Sequence, residues 1–300
     1  MTRDLVIVGA GPAGITAAIY AARKRLNTLV VSRDIGGQAA ASWDVENYTG
    51  YQMITGPELV VKFKEHLEKF NLPVQEGETV MRLAPDGSGF LVQTDRGEYR
   101  ARTVIVASGR TPRRLGVPGE EEFRNRGVTW CATCDGPLFA GQRVAVVGGG
   151  NSGFDAALQL LRIASSVTVI EAADRLRADP VMVEKAKAGG AVLLFPAMVQ
   201  RIIGDRFVTG IEVVTAGDRR TLPVEGVFVE IGSTAVSDFV EKAARNAAGE
   251  LLVNPRCETD VQGLFAAGDV TDVFSKQIVV ACGEGAKAAI AAAEYLGRSS

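Results

Sequence analysis

Two thiols and an acid stand together at Cys131-Ala132-Thr133-Cys134-Asp135-Gly136, directly after Trp130. Cysteines at this spacing can close a small disulfide ring, and in a reducing compartment such a pair is more often catalytic or metal-binding than structural. If the pair sits at a helix N-terminus, one thiol is expected to shift toward the reactive thiolate. Asp135, next to the pair, can give and take the protons that disulfide reduction requires. Half of a zinc site and an incidental buried pair are the competing readings. Zinc usually takes four ligands. The only histidine, His66, falls in a charged helical stretch from Lys62 to Lys69 and reads as a solvated surface residue, so no metal is expected. Cys257 and Cys282 are isolated and read as packed small hydrophobes.

A redox pair needs something to reduce it, and the chain carries two turns suited to dinucleotides. The apolar run Leu5-Val6-Ile7-Val8 leads into Gly9-Ala10-Gly11-Pro12-Ala13-Gly14, then an Ala-rich helical stretch through Arg23 and a second strand, Thr28-Leu29-Val30-Val31-Ser32. The order strand, glycine turn, helix, strand is that of a βαβ unit. Its three glycines are expected to make the tight turn, admit a pyrophosphate, and let helix pack on strand, with the phosphates on the helix N-terminus. The construction repeats at Arg143–Val147, Gly148-Gly149-Gly150-Asn151-Ser152-Gly153, a helix to about Ile163, and Val167-Thr168-Val169-Ile170 ending in Glu171. An acid at this point can accept hydrogen bonds from a free ribose 2′-hydroxyl, which favours NADH over NADPH. Arg175 and Arg177 follow closely and can swing back toward the site, and Glu171 as a simple surface strand cap is the plainer alternative.

Composition sets the outer limits. Three hundred residues with 47% hydrophobic content suffice for two ordinary domains with buried cores. A net charge of -2, from 33 basic and 35 acidic residues, gives no polycationic footprint for nucleic acid or anionic lipid. No apolar stretch reaches the roughly 18 residues of a membrane span, so a cytoplasmic protein with small-molecule or protein partners is expected. Phe90–Thr94 and Tyr99 read as meander strands, Thr103–Gly109 as a buried strand, and Thr111–Gly119 as a turn-rich linker. The run Gly263–Asp269 and a helix from about Gly283 to Leu296 lack a third glycine repeat and are assigned back to the first domain. The expected fold is therefore α/β, with two Rossmann-like nucleotide-binding domains. The first spans 1–114 and 247–300, and the second, 115–246, is inserted into it and carries the cysteine pair.

These motifs resemble the low-molecular-weight thioredoxin reductases, and more closely the flavoprotein subunit of alkyl hydroperoxide reductase. The resemblance runs nearly end to end. It is most specific at Gly9–Gly14, Gly36-Gly37-Gln38, Glu46-Asn47-Tyr48, Cys131–Leu138, Gly148–Gly153, Arg256–Thr259, Gly268-Asp269-Val270, Lys276-Gln277-Ile278 and Gly283–Ala286. The resemblance implies an FAD domain with an inserted pyridine-nucleotide domain, in a homodimer. It implies that FAD is held by Gly9, Gly11, Pro12, Ala13 and Gly14 at its pyrophosphate and by Gly268 and Asp269 near the ribityl phosphate. Gly37, Gln38, Asn47, Gly109, Lys276, Gln277 and Ile278 would complete that site. It further implies that Cys134 faces the flavin, Cys131 attacks the partner disulfide, and Asp135 is the acid. Electrons would pass from nicotinamide to FAD, to the cysteines, and to a thioredoxin-like protein. Rotation of the inserted domain, with one hinge near Thr111–Gly119, would alternate access to the flavin.

Three departures matter. Glu171-Ala172-Ala173 replaces the His-Arg-Arg stretch with which thioredoxin reductases hold a 2′-phosphate, whereas the peroxide-reductase flavoproteins have an acid there and use NADH. Those flavoproteins also carry an N-terminal double thioredoxin-like module that this chain lacks, so its partner is not expected in cis. In Ile231-Gly232-Ser233-Thr234-Ala235-Val236 the Pro-Asn pair of both families is missing. The donor is thus expected to be NADH. The alternatives are a nicotinamide-independent oxidoreductase fed by ferredoxin or another donor, with a second FAD in the inserted domain, and a flavoprotein that senses redox state without turnover.

Overall fold

The computed structural model describes residues 2–41, 45 and 47–298, and of residues 41 and 134 the backbone only. The chain opens with β1 (Thr2–Ala10), α1 (Pro12–Arg23), β2 (Thr28–Ile35), α2 (Gly56–Glu68), β3 (Val74–Glu76), β4 (Val80–Asp86), β5 (Gly89–Thr94), β6 (Glu98–Val106) and β7 (Arg110–Pro112). There follow β8 (Val128–Thr129), α3 (Ala132–Asp135), β9 (Arg143–Val147), α4 (Asn151–Leu160), β10 (Ser166–Ile170), α5 (Pro180–Ala188) and β11 (Val192–Leu194). The chain continues through β12 (Met198–Gly204), β13 (Val208–Thr215), β14 (Asp218–Leu222), β15 (Gly226–Val229) and β16 (Ser233–Ala235), and ends in β17 (Leu264–Ala266) and α6 (Ile278–Arg298). It divides into two compact units, Met1–Thr111 with Thr234–Ser300, and Pro112–Ser233.

In the first unit seven strands form one sheet in the order β3-β2-β1-β6-β5-β4, with β17 added to β6. β1 lies parallel to both β2 and β6, and β17 runs parallel to β6. Alternation along β1 sends Leu5 and Ile7 to one face and Val6 and Val8 to the other, and all four are buried. On the first face many of the residues that the helices α1 and α6 supply are small: Ala13, Ala17, Ala18 and Ala21 from α1, beside Ile15 and Ile19, and Ala281, Ala288, Ala289 and Ala292 from α6. Small side chains let the two helix backbones approach closely. A Cβ placed on Gly285 would lie 2.0 Å from the Ala13 carbonyl oxygen. This contact explains why α6 begins at Ile278 and runs through Gly283 and Gly285, earlier than the start near Gly283 expected from alanine content alone.

The second unit repeats the plan with five parallel strands in the order β11-β10-β9-β15-β8 and a separate antiparallel sheet β12-β13-β14. Val144 and Val146 of β9 pack against Phe154, Ala157 and Leu160 of α4, while Ala145 and Val147 meet Ile202, Ile211 and Val213 of the antiparallel sheet. The chain passes between the units twice, and the two passages, β7 and β16, pair as a ribbon. The outward passage coincides with the turn-rich linker. The return falls at Ser233/Thr234, earlier than the expected 246/247, because Ala235 and Val240 are buried in the first unit's core beside Val8 and Leu83. The backbone there is also tied in, with the Leu83 N–H donating to the Phe239 carbonyl at 2.7 Å.

The close helix contact yields a paired test. Alanine in a helix interior is favoured over glycine by about 1 kcal/mol. At Gly283, where an added Cβ meets nothing within 4 Å, Gly283→Ala should therefore stabilise the protein slightly. At Gly285 the same change forces a shift against backbone and should cost about 1–3 kcal/mol net. Urea unfolding midpoints of the two variants should move in opposite directions.

Candidate functional site

The first glycine turn has the three-part geometry expected of a pyrophosphate cradle. Gly9 has φ +104, and a Cβ on it would strike the Ala107 carbonyl oxygen at 2.4 Å. Gly14 lies against the same turn, where a Cβ would be 1.9 Å from the Gly9 oxygen. Gly11 differs: its Cβ position is open, with only the Gly36 oxygen at 4.0 Å. It is the N-cap of α1, with no side chain capping the helix, and Pro12 follows. The open face of Gly11 is thus where backbone can meet an anion at a helix N-terminus. Gly37, with φ +53, comes within 3.4 Å of the Gly11 Cα through its own Cβ position.

The ends of β1, β6 and β17 bring the other expected residues to this edge. Gly268, at φ +79, packs on Ala13, and its N–H donates to the buried Glu284 carboxylate at 3.0 Å. The following residue, Asp269, is half-buried, and its carboxylate has no hydrogen-bond partner among the described residues. Burial raises its pKa, opposed by the charges of Lys276 and Arg110. An unpartnered carboxylate beside an open glycine turn fits a ligand rich in hydroxyl groups. Asn47 donates to Gln277 at 3.0 Å and Gln38 to the Arg110 carbonyl at 3.1 Å, so these expected side chains are positioned by contacts within the unit. Gly109, at φ +67, accepts from the Val236 N–H. Lys276 reaches Glu250, which also pairs with Arg110 at 2.6 Å. Ile278 begins α6. Glu46 lies outside the described residues.

Sequence reasoning missed Arg110, Glu250 and Glu284, whose partners are far away in the chain. It also read Cys282 as a packed hydrophobe. Cys257 is fully buried as expected, and burial pushes its thiol up to about 11. Cys282 is only half-buried and receives the Tyr48 hydroxyl at 3.8 Å. Burial, then the neighbouring Cys282, hold that phenol protonated well above its ordinary range.

In the second unit, Cys131 is disulfide-bonded, and the Cys134 side chain lies outside the described residues. Thr129, at the end of β8, organises the turn: its hydroxyl donates to Asp135 and accepts from the Cys131 N–H at 3.2 Å. The expected helix at the pair is a single turn, Ala132–Asp135, and gives way to a tighter turn over Gly136–Phe139 where Pro137 removes an amide donor. One turn carries little macrodipole, so hydrogen bonds from Thr129 are the local polar influence that the sequence did not show.

The second glycine turn duplicates the first. Gly148 has φ +130, a Cβ on Gly153 would lie 2.0 Å from the Gly148 oxygen, and Gly150, the uncapped N-cap of α4, is open. Ser152 is exposed, whereas Asn151 turns away to accept from the Asp179 N–H at 2.8 Å. Glu171 is not a surface cap. It is 8% exposed, and its carboxylate accepts from the Gly149 N–H at 2.7 Å and the Ala173 N–H at 2.8 Å, standing over the turn. Arg175 and Arg177 are exposed. Glu230 was not foreseen. It follows β15 directly, makes no side-chain hydrogen bond among the described residues, and is pushed up to about 8 by burial and then by Asp155 of α4.

Residues 3–285 match the family model described as pyridine nucleotide-disulphide oxidoreductase. The chain belongs to that family. Its members are flavoproteins that bind FAD, usually with a nicotinamide dinucleotide as donor, on a fold of two Rossmann-like units. The chain is 41% identical over 305 residues to the F subunit of alkyl hydroperoxide reductase from Escherichia coli K12, covering 99% of this chain and 58% of that protein. It therefore spans under two thirds of that relative. Among solved structures it is similar to thioredoxin reductase of Lactococcus lactis, with 34% identity, TM-score 0.94 and coverage of 99% and 100% of the two chains. Thioredoxin reductase of T. acidophilum gives 35% identity, TM-score 0.92 and coverage of 100% and 99%. No helix among the described residues is long and apolar enough to cross a membrane.

The raised pKa of Glu230 has a consequence for stability. Below its ordinary value of 4.5 the group is protonated whether folded or not and contributes nothing. From there to about 8 the unfolded chain releases a proton that the folded protein keeps, so stability falls as pH rises. The loss is at most on the order of 1 kcal/mol per pH unit and is constant above about 8. Glu230→Gln should therefore unfold at a higher midpoint than wild type near pH 8, with the difference shrinking as pH is lowered toward 5.

Proposed function

We propose that this chain is an FAD-dependent disulfide reductase that draws electrons from NADH and delivers them through Cys131 and Cys134 to a disulfide of a thioredoxin-like protein. The disulfide at Cys131, in a unit that also carries a complete dinucleotide turn, is the observation that supports this most directly. FAD, when bound, supplies an acceptor for hydride and a donor of two electrons to a disulfide. Gly9, Gly11 and Gly14, with Pro12 and Ala13, would hold its pyrophosphate at the start of α1. Asp269 would take its hydroxyl-bearing chain, and Gly37, Gln38, Asn47, Gly109, Lys276, Gln277 and Ile278 would orient the ring.

On the donor side, Gly148, Gly150, Asn151, Ser152 and Gly153 would frame the second pyrophosphate. The Glu171 carboxylate keeps lone pairs for a ribose 2′-hydroxyl and repels a 2′-phosphate, which supports NADH over NADPH. At the dithiol, Asp135 would supply the proton for one sulfur, a role supported by Thr129, whose hydroxyl bonds both the Asp135 carboxyl and the Cys131 N–H. Cys131 then attacks the partner disulfide, and Cys134 resolves the mixed disulfide by closing the original ring. The thioredoxin-like partner, a cytosolic setting and a homodimer are part of the same proposal. A rival reading, a nicotinamide-independent enzyme with a second FAD in the inserted unit, draws on the Ile231–Val236 loop, where the Pro-Asn pair is missing.

Anaerobic titration of the FAD-loaded protein tests the donor. NADH should bleach the flavin at one FAD per chain, and NADPH should do so at least about tenfold less efficiently, as expected for a charged group left without a partner. No bleaching by either, with two flavins per chain, favours the rival. Cys131→Ser should retain bleaching by NADH and lose disulfide reduction by at least about a hundredfold. Retained disulfide reduction in that variant would remove Cys131 from the pathway.

A further inference from the structure

Glu230 is a half-buried, strongly desolvated titratable group that the pathway above does not use, and its place in the fold is specific. In the sheet order β11-β10-β9-β15-β8, the connection from β9 leads through α4 to β10 on one side, while β15 flanks β9 on the other. A crevice between such strands, outside their carboxyl ends, is where open α/β sheets bind ligands. Gly148 follows β9 and Glu230 follows β15, so the two residues stand side by side at the carboxyl ends of these adjacent strands. They are also in contact: the Glu230 N–H donates to the Val147 carbonyl at 2.7 Å, and a Cβ on Gly148 would lie 2.1 Å from the Glu230 carbonyl oxygen.

The two halves of a dinucleotide are thereby distinguished. Glu171, beyond β10, marks the side of the adenosine ribose, and the turn at Gly148–Gly153 marks the pyrophosphate. The remaining half must run over the β15 side, where Glu230 stands. We propose, resting on the reading of this unit as the nicotinamide-dinucleotide site, that Glu230 binds the nicotinamide carboxamide as a neutral carboxylic acid, donating to its oxygen and accepting from its amide. In this form the acid matches both functions of the carboxamide, whereas a carboxylate can only accept.

The surroundings support the neutral form. Asp155 of α4 is the charged group acting on Glu230, and burial and Asp155 together push it up to about 8. Asp155 in turn accepts from Gln159 at 2.8 Å, and Gln159 accepts from Thr133 at 3.0 Å, so the carboxyl pair is linked by side chains to the turn that carries Cys131. Of the other nearby carboxylates, Glu171 is engaged by the Gly149 and Ala173 amides and Asp135 by the Thr129 hydroxyl. The paired strands β8 and β9 bring Val128, Thr129 and Val144–Val147 alongside β15, without an ionisable side chain. Arg113 joins the same segment only through its N–H, which donates to Gly232.

The test uses the FAD-loaded protein and two probes in calorimetric titrations from about pH 6 to about pH 9.5. Tetrahydro-NAD, the unreactive neutral-ring analogue of NADH, should bind with constant affinity up to about pH 8 and then weaken by up to about tenfold per pH unit. ADP-ribose, which lacks the carboxamide, should show no such dependence. Glu230→Gln should hold the analogue at its low-pH affinity throughout, and Asp155→Asn should move the wild-type midpoint to lower pH. A flat wild-type profile, the same profile for ADP-ribose, or an unchanged profile in Glu230→Gln overturns the assignment of Glu230 while leaving the dinucleotide site standing. Failure of both probes to bind at any pH overturns the site reading together with this one.

Discussion

Both glycine turns depend on backbone packed directly against backbone at the end of a parallel strand. In both units the helix after the glycine turn, α1 or α4, is drawn so close that Gly14 or Gly153 meets the carbonyl of Gly9 or Gly148, at separations no Cβ tolerates. That contact aims the helix N-terminus out over the sheet edge and leaves the middle glycine, Gly11 or Gly150, as open backbone. An anion-binding face is the direct result, because the first turn of a helix has amide donors without intrahelical partners. The small-residue seam between α1 and α6 extends the same constraint through the first unit, since Gly285 and Gly268 both press on Ala13.

With the cradles set in this way, chemistry is assigned by what stands around each edge. At the first, Lys276, Arg110 and Glu250 are paired near Asp269, and the amide side chains of Gln38, Asn47 and Gln277 are held by contacts within the unit. At the second, two carboxylates flank the turn in opposite conditions. Glu171 accepts hydrogen bonds from two backbone amides. Glu230 has no side-chain hydrogen bond among the described residues, and burial and then Asp155 raise its pKa. Two identical functional groups beside one glycine turn thus sit in different environments set by burial and hydrogen bonding.

The dithiol turn belongs to the same unit and is short. Its organisation comes from Thr129 on the neighbouring strand, and it connects to α4 through Thr133 and Gln159. The turn at Cys131 is therefore tied by side chains of the unit that carries the second glycine turn, a unit joined to the rest of the chain by two passages.

Much of this was legible in the sequence because it is local. Strand, glycine turn, helix and second strand are consecutive, so Gly9–Gly14 and Gly148–Gly153 could be read in order, as could the Cys-x-x-Cys pair and the acid at Glu171. The insertion of one unit in the other followed from counting glycine repeats. The return passage could not be placed that way, since it depends on Ala235 and Val240 finding a core formed by strands far upstream. The start of α6 was hidden by its glycines, which are tolerated because Ala13 lies against one of them. Arg110, Glu250, Glu284 and Thr129 matter through partners distant in the chain or across a strand pair. Glu230 looks in sequence like any acid at the end of a strand. Only the fold, by desolvating it beside Asp155, raises its pKa, because desolvation and like charge act through space and leave no mark on residue order.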